Sequence, residues 1–294
     1  MLDAESAPDD LTRPLYLLFE TVHVAVYVTP EPPQAYRALG LPTGYAGHTG
    51  YAGYIGSRAA PMGPVPAAVV DATFAVFSPE LVRACVPMVW EVASPEQFTA
   101  ARYAGVGAGL RRIVGGRVAD PALAEAADLL REAVQGLSTV GRPLFAAQAA
   151  VPAPTEPVLA VWHWCTALRE HRGDGHVAAL LDAGLGALDS LVLHAAADGP
   201  RTFLQTRRGF SPQEWAAGED HLRNRGLVGP DGSATDDGRR LRAAVERRTE
   251  AAAGAPWAAL GRARSLRLAE LLTPVAEAVR AADVDGGSAH RVGR

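Results

Sequence analysis

Apolar positions recur along this chain with a helical rather than an alternating period. Leu15 to Val28, LYLLFETVHVAVYV, is apolar on nearly every side, which predicts a helix buried all round. Inside it Glu20, His23 and Tyr27 stand three and four residues apart and share one interior face, as satisfied core groups or as a pocket wall. Ser78-Pro79-Glu80 and Ser94-Pro95-Glu96-Gln97 each read as a helix start, the second as a capping box. Asp120-Pro121 opens an alanine-rich helix to about Gln135, and another helix runs from Glu156 to His171. Gly173-Asp174-Gly175 is expected to end that helix, with Asp174 capping the next.

Between Gly40 and Gly63 the periodicity is of another kind. Gly44, Gly47, Gly50, Gly53 and Gly56 fall every third residue, with Tyr45, His48, Tyr51 and Tyr54 between them. The pattern fits a loop, a helix edge where backbones approach closely, or an aromatic-lined binding loop leading into Arg58. The run from Arg58 to Pro66 then delivers the chain into a helix from about Val65, placing an arginine just ahead of a helix N-terminus, where anions bind.

Two internal echoes point to a duplication. Ala178 to Ala183 matches Ala67 to Ala72 at a lag of 111, setting Arg169 opposite Arg58, and Ser211-Pro212-Gln213-Glu214-Trp215 answers Ser94 to Phe98 at a lag of 117. The expected fold is therefore mainly α: two divergent winged-helix modules in tandem, with a short β wing in the second. Residues 1–136 form the first module, 137–157 a proline-bearing linker, 158–282 the second module and 283–294 a disordered tail.

Composition narrows the chemistry. The chain has 294 residues, 48 % hydrophobic and 20 % charged, a globular balance able to bury a sizeable core. No apolar run reaches the roughly 18 residues a membrane span needs, and the start MLDAESAPDD is acidic, so a soluble, cytoplasmic protein is expected. Cys85 and Cys165 form no CxxC pair, which argues against a disulfide framework or a thiolate zinc site. All 28 basic residues are arginine, which removes Schiff-base catalysis, pyridoxal phosphate attachment and the Walker lysine. Residues 1–199 hold 12 arginines against 20 acids, net −8, while residues 200–264 hold 12 against 8, net +4. Only the second region is a candidate for DNA.

Titratable side chains concentrate between Trp162 and Leu185, where His163, Arg169, Glu170, His171, Arg172, Asp174 and His176 lie among apolar helical segments. The bland reading is a solvated helix end. His163, His171 and His176 have no regular spacing that would join them around a metal, so no metal site and no cofactor is expected.

The run FLQTRRGFSPQEWAAGEDHLRNRGLVGPDGSATDDGRRLRAAVERRT resembles the winged helix-turn-helix of MarR-type regulators, most specifically at Arg223 to Leu241. The chain further resembles a group of largely uncharacterised actinobacterial helix-turn-helix proteins, with RAAPMGPV and LREHRGDGHVAAL as their marks. The resemblance implies a fold more than an activity. In a reading helix the N-terminal residues meet base edges. Here these are Gln213, Glu214 and Ala217, followed by Asp220, and the wing Pro230-Asp231-Gly232-Ser233 carries no arginine. In favour of DNA stand Arg207, Arg208, Arg223, Arg225, Arg239, Arg240 and Arg242.

The leading expectation is an enzyme of specialised metabolism, of the kind found in antibiotic biosynthesis, working in a chamber between the modules on a small anionic metabolite. His23, His171 and His176 would move protons, with Tyr27 alongside. Arg58 and Arg169 would hold the anion, and Glu20, Tyr54, Arg172 and Asp174 would complete the binding set. Elimination, cyclisation or isomerisation by a cofactor-independent lyase or cyclase fits such a set. The alternatives are a MarR-like ligand-responsive regulator binding DNA through residues 200–264, and a protein that sequesters a metabolite. A monomer or homodimer without a membrane is expected in each case.

Overall fold

The computed structural model describes residues 9–43 and 47–286. Among them the chain is helical, in the order α1 (Asp9–His23), α2 (Ala25–Val28), α3 (Glu31–Ala38), α4 (Ala52–Ala59), α5 (Ala67–Phe74), α6 (Pro79–Cys85), α7 (Met88–Val92), α8 (Pro95–Val114) and α9 (Asp120–Val134). There follow α10 (Pro143–Ala150), α11 (Pro157–Asp182), α12 (Ala187–Ala197), α13 (Arg201–Arg208), α14 (Pro212–Asn224), α15 (Asp236–Ala253), α16 (Ala255–Leu260) and α17 (Arg262–Gly286). No single helix among the described residues is long and apolar enough to cross a membrane.

The 26-residue α11 is the axis of the molecule and packs against α1, α9, α10 and α15. It runs unbroken through Gly173-Asp174-Gly175, where the sequence predicted a stop. Tertiary contacts override the local signal. A Cβ on Gly175 would sit 3.0 Å from the Arg142 guanidinium and 3.2 Å from Ala252 of α15, so glycine permits the close crossing. Asp174 caps a different helix: its Oδ2 accepts the Phe145 N–H at 2.9 Å, in the first turn of α10.

Three hydrophobic cores result. One joins α1 and α2 to α8, α9, α11 and the returning α17; a second lies under α4 to α8; a third, from Ala179 to Val245, belongs to the helix-turn-helix. The stretch 137–157, expected as a linker, contains α10, whose Leu144 and Phe145 are buried. The predicted tail from 283 overlaps the end of α17, and residues 287–294 lie outside the described residues.

The helix expected over Leu15 to Val28 is divided at Val24, where the Tyr27 N–H turns to the Val24 carbonyl three residues back, at 2.8 Å. It is not buried all round, since Leu17 is 38 % exposed. The glycine repeat is a close-packed helix edge at Gly53 and Gly56, whereas Gly47 stands in open space at φ +60°. A Cβ on Gly53 would lie 2.7 Å from the Tyr36 ring, and one on Gly56 2.7 Å from the Phe98 ring. Gly44 and Tyr45 lie outside the described residues.

The helix-turn-helix is α13, the turn Gly209-Phe210-Ser211, and α14. Gly209 has φ +76°, and a Cβ there would strike Leu81 of α6 at 2.7 Å, so glycine serves both the turn and its docking. Among the described residues no strand forms, and the expected β wing is reduced to an isolated antiparallel bridge between Val228 and Ala234. The sequence echoes land unequally. Ser94 and Ser211 each open a helix with a full capping box, whereas 67–72 begins α5 and 178–183 lies at the end of α11.

Candidate functional site

A cavity of about 400 Å³ opens where the three cores meet. The first core supplies Glu20 and Tyr27, the second Tyr54 and Arg58, α11 supplies Arg169, Arg172 and His176, and the helix-turn-helix supplies Leu204, Arg207 and Arg208. A second cavity of about 200 Å³ adjoins it and shares Tyr16, His176 and Glu246 with it. Seven of the ten predicted site residues therefore face one chamber: Glu20, Tyr27, Tyr54, Arg58, Arg169, Arg172 and His176.

Glu170, buried behind the lining, organises the charged wall. Its carboxylate receives Arg58 through two bonds, Nε to Oε1 at 3.0 Å and Nη2 to Oε2 at 2.8 Å, and Arg169 Nη1 at 3.0 Å. Burial alone would raise the Glu170 pKa, but the Arg58 and Arg169 charges outweigh it and hold the carboxyl well below the usual range. Arg169 also reaches Glu20 at 3.4 Å, and Arg172 pairs with Glu246 at 3.0 Å while lying 3.9 Å from the Tyr16 ring centroid. The guanidiniums expected to grip an anion are thus already engaged with the protein's own carboxylates.

Two phenols meet in this wall, with Tyr27 and Tyr54 ring centroids 5.6 Å apart. The Tyr54 oxygen accepts Arg58 Nη1 at 3.2 Å. Burial raises the Tyr54 pKa, yet Arg58, Arg169 and Arg208 together bring it below the ordinary tyrosine value. Tyr27 is driven well above that value, chiefly by burial and then by Tyr54.

Behind Tyr27 the proton positions follow from donor bookkeeping. Thr166 donates its only hydroxyl proton to the Trp162 carbonyl at 2.8 Å, so at 3.0 Å it accepts from His23 Nδ1. His23 Nε2 is then a bare acceptor, 3.1 Å from the Tyr27 hydroxyl, which donates to it. Burial first, then the nearby Arg169 and Arg102, depress the His23 pKa well below 6.5 and keep the ring neutral. The same logic fixes His176. Thr249 donates to the Val245 carbonyl at 2.8 Å and receives His176 Nδ1 at 2.9 Å, leaving Nε2 as the acceptor on a ring that lines both cavities.

His23 stands in the layer behind Tyr27 rather than in the chamber wall. Two further predicted residues are not brought to the chamber. His171 packs edge-on against Phe145 with centroids 5.0 Å apart, its carbonyl held by Arg142, and burial lowers its pKa to about 4. Asp174 is spent on the α10 cap, with burial raising its pKa to about 6. His163 bonds Tyr103 at 2.5 Å in a separate buried cluster, and among the described residues no group of His, Cys, Asp or Glu could hold a metal ion.

Sequence reasoning missed Arg207 and Arg208 by counting them with the DNA-facing arginines; both line the chamber. Of the others, Arg223 pairs with Asp220, Arg239 with Asp236, Arg240 with Asp237 and Arg242 with Asp198, and Arg225 caps the α11 end through the Gly184 carbonyl. The exposed positions of α14 are Pro212, Gln213, Ala216, Ala217, Asp220, His221 and Asn224; its one arginine, Arg223, is half-buried and paired with Asp220. A model of the helix-turn-helix family matches residues 12–285. No curated protein and no solved structure matches the chain.

Proposed function

The chain belongs to this helix-turn-helix family, and we propose that it turns the scaffold to acid–base catalysis on a small anionic metabolite bound in the chamber. The carrying observation is the Tyr54–Tyr27 pair, one oxygen held by Arg58 and the other aimed at His23, both facing one cavity. Groups whose surroundings push their proton affinities apart are the mark of an acid and a base set to different tasks. In this reading Tyr54, biased toward its phenolate, takes the proton. Tyr27, with His23 Nε2 as its internal acceptor, donates to the developing negative charge through a reoriented hydroxyl, and His176 Nε2 offers a second base at the far wall. Isomerisation, cyclisation and elimination all need only such transfers.

Incubation in D₂O with a panel of small carboxylic acids tests this directly. Deuterium entering the acid, or a rearranged or eliminated product, is expected with the native chain and lost with Tyr54→Phe. Loss of neither deuterium incorporation nor product on that substitution would contradict the role of Tyr54.

Family membership favours a second reading, a MarR-like regulator in which the chamber senses the metabolite and the winged helix reads DNA. Supporting it, α12 and α13 form one wall of the chamber, so occupancy would bear on the helix-turn-helix itself. The exposed α14 face, which carries Asp220 and no fully exposed arginine, weighs against it, since phosphate attraction supplies a large share of the affinity in such complexes. The same wall would serve duplicated modules descended from a DNA-binding ancestor.

A further inference from the structure

Among the chamber arginines, Arg208 differs in its partners. Arg58, Arg169 and Arg172 each hold a glutamate. No carboxylate among the described residues pairs with Arg208, and its buried Nε has no hydrogen-bond partner. Arg208 is partly buried, and a guanidinium whose Nε is shielded from water and unpaired gains from a counter-charge brought to it.

The side chain is projected from a fixed point. The Ser78 N–H donates to the Arg208 carbonyl at 2.8 Å, and the adjoining Gly209 is pressed against Leu81. The guanidinium lies 5.1 Å from the Phe77 ring centroid. Arg208 also lines the chamber, and a guanidinium resting on an aromatic ring keeps its terminal N–H groups available for the two oxygens of an anion. Burial lowers the Arg208 pKa without taking its charge away at neutral pH.

We propose that Arg208 seats a single carboxylate, or a sulfonate of like charge, carried on an aromatic or other flat apolar body. The inference rests on reading the chamber as a small-molecule site and names the class of ligand it takes. A carboxylate sets one negative charge against Arg208; a phosphate dianion would carry its second charge toward Glu20 and Glu246, which line the same cavity. Phe74, Phe77, Leu180 and Leu204 supply the apolar wall, and a volume of about 400 Å³ lies at the lower end for small-molecule sites.

Calorimetric titration of the full chain with 2-naphthoate, 2-naphthamide and inorganic phosphate tests the seat. Naphthoate is expected to bind at least about tenfold more tightly than naphthamide, the scale of a charge-assisted hydrogen bond, and more tightly than phosphate. Arg208→Gln should abolish that preference. Equal binding of the acid and the amide, no binding of naphthoate, tighter binding of phosphate, or an undiminished preference in Arg208→Gln would each overturn it. If Arg208→Gln does not fold, Arg208→Lys decides: a preference weakened several-fold supports the seat, and an unchanged one overturns it. Arg208-dependent naphthoate binding without turnover of any acid would keep the seat and remove the enzymatic reading. Turnover that requires Tyr54, with acid preference indifferent to Arg208, would do the reverse.

Discussion

Tyr27 and Tyr54 face each other at 5.6 Å between ring centroids, the first hydrogen-bonded to a neutral histidine and the second to an arginine. The pair comes from two different hydrophobic cores, so its geometry depends on the whole fold. If it performs the chemistry, Tyr54→Phe and Tyr27→Phe should each lower kcat by about 10² to 10⁴, the usual worth of a positioned acid or base. Both variants should still fold, because the hydrogen bonds lost at each site are worth about 1 to 3 kcal/mol. In the native chain the limb of the rate profile set by Tyr54 should fall below the ordinary tyrosine pKa of about 10. Steady-state kinetics across pH checks the first and the last, and thermal melts check the second.

Glu170→Gln, just behind the chamber wall, should be the most damaging isosteric change at the site. It leaves Arg58 and Arg169 buried without their shared carboxylate, a loss of about 3 to 5 kcal/mol for a broken buried pair. The Glu170 pKa is depressed in the folded state. Its stabilisation is therefore complete above the unfolded value of about 4.3 and is lost as pH falls from there through the depressed native value. Chemical denaturation of native and variant chains between about pH 3 and pH 7 measures the loss, and the two should converge toward the acid end.

Asp174 should behave in the opposite sense. Burial lifts its folded pKa to about 6, above the unfolded value. Its contribution is fully present below the unfolded pKa of about 3.9 and declines as pH rises through 6. Asp174→Asn keeps an oxygen for the Phe145 N–H. The variant should lack this decline and gain on the native chain by on the order of 2 kcal/mol at pH 7. Denaturation at pH 4.5 and pH 7 checks it: a native chain with no relative loss at the higher pH would refute the assignment.

Capture of fragmented genomic DNA at about 150 mM salt should recover no selected sequence, because non-specific contacts are weakened there and the only arginine of α14, Arg223, is half-buried and paired with Asp220. Arg239→Glu with Arg240→Glu should leave chamber binding intact, since both pair on the surface with Asp236 and Asp237. Selective recovery of one promoter, lost in that double variant, would establish the regulatory reading instead.

Much of this was legible in the sequence where the signal is local. The capping boxes at Ser94 and Ser211 and the turn at Gly209 mark their helices. The three-and-four spacing of Glu20, His23 and Tyr27 did place them together, with His23 one layer back. What resisted was direction and pairing. Gly173-Asp174-Gly175 looks like a helix end, yet the crossing of α15 and the α10 cap keep it helical. Arg207 and Arg208 count as basic residues of a DNA-binding segment until α13 is seen to point them inward. Glu170 reads in the sequence as one charge of a cluster, without a role, because its partner Arg58 lies 112 residues away.

Titration of tyrosine ionisation by ultraviolet difference absorption, native chain against Tyr54→Phe, tests the opposed phenols without knowledge of the substrate. One phenolate should form below the ordinary tyrosine pKa of about 10 in the native chain and be absent from Tyr54→Phe, with Tyr27 still protonated when it forms. If no tyrosine ionises early, or the early one survives Tyr54→Phe, the chamber does not divide acid from base between Tyr27 and Tyr54.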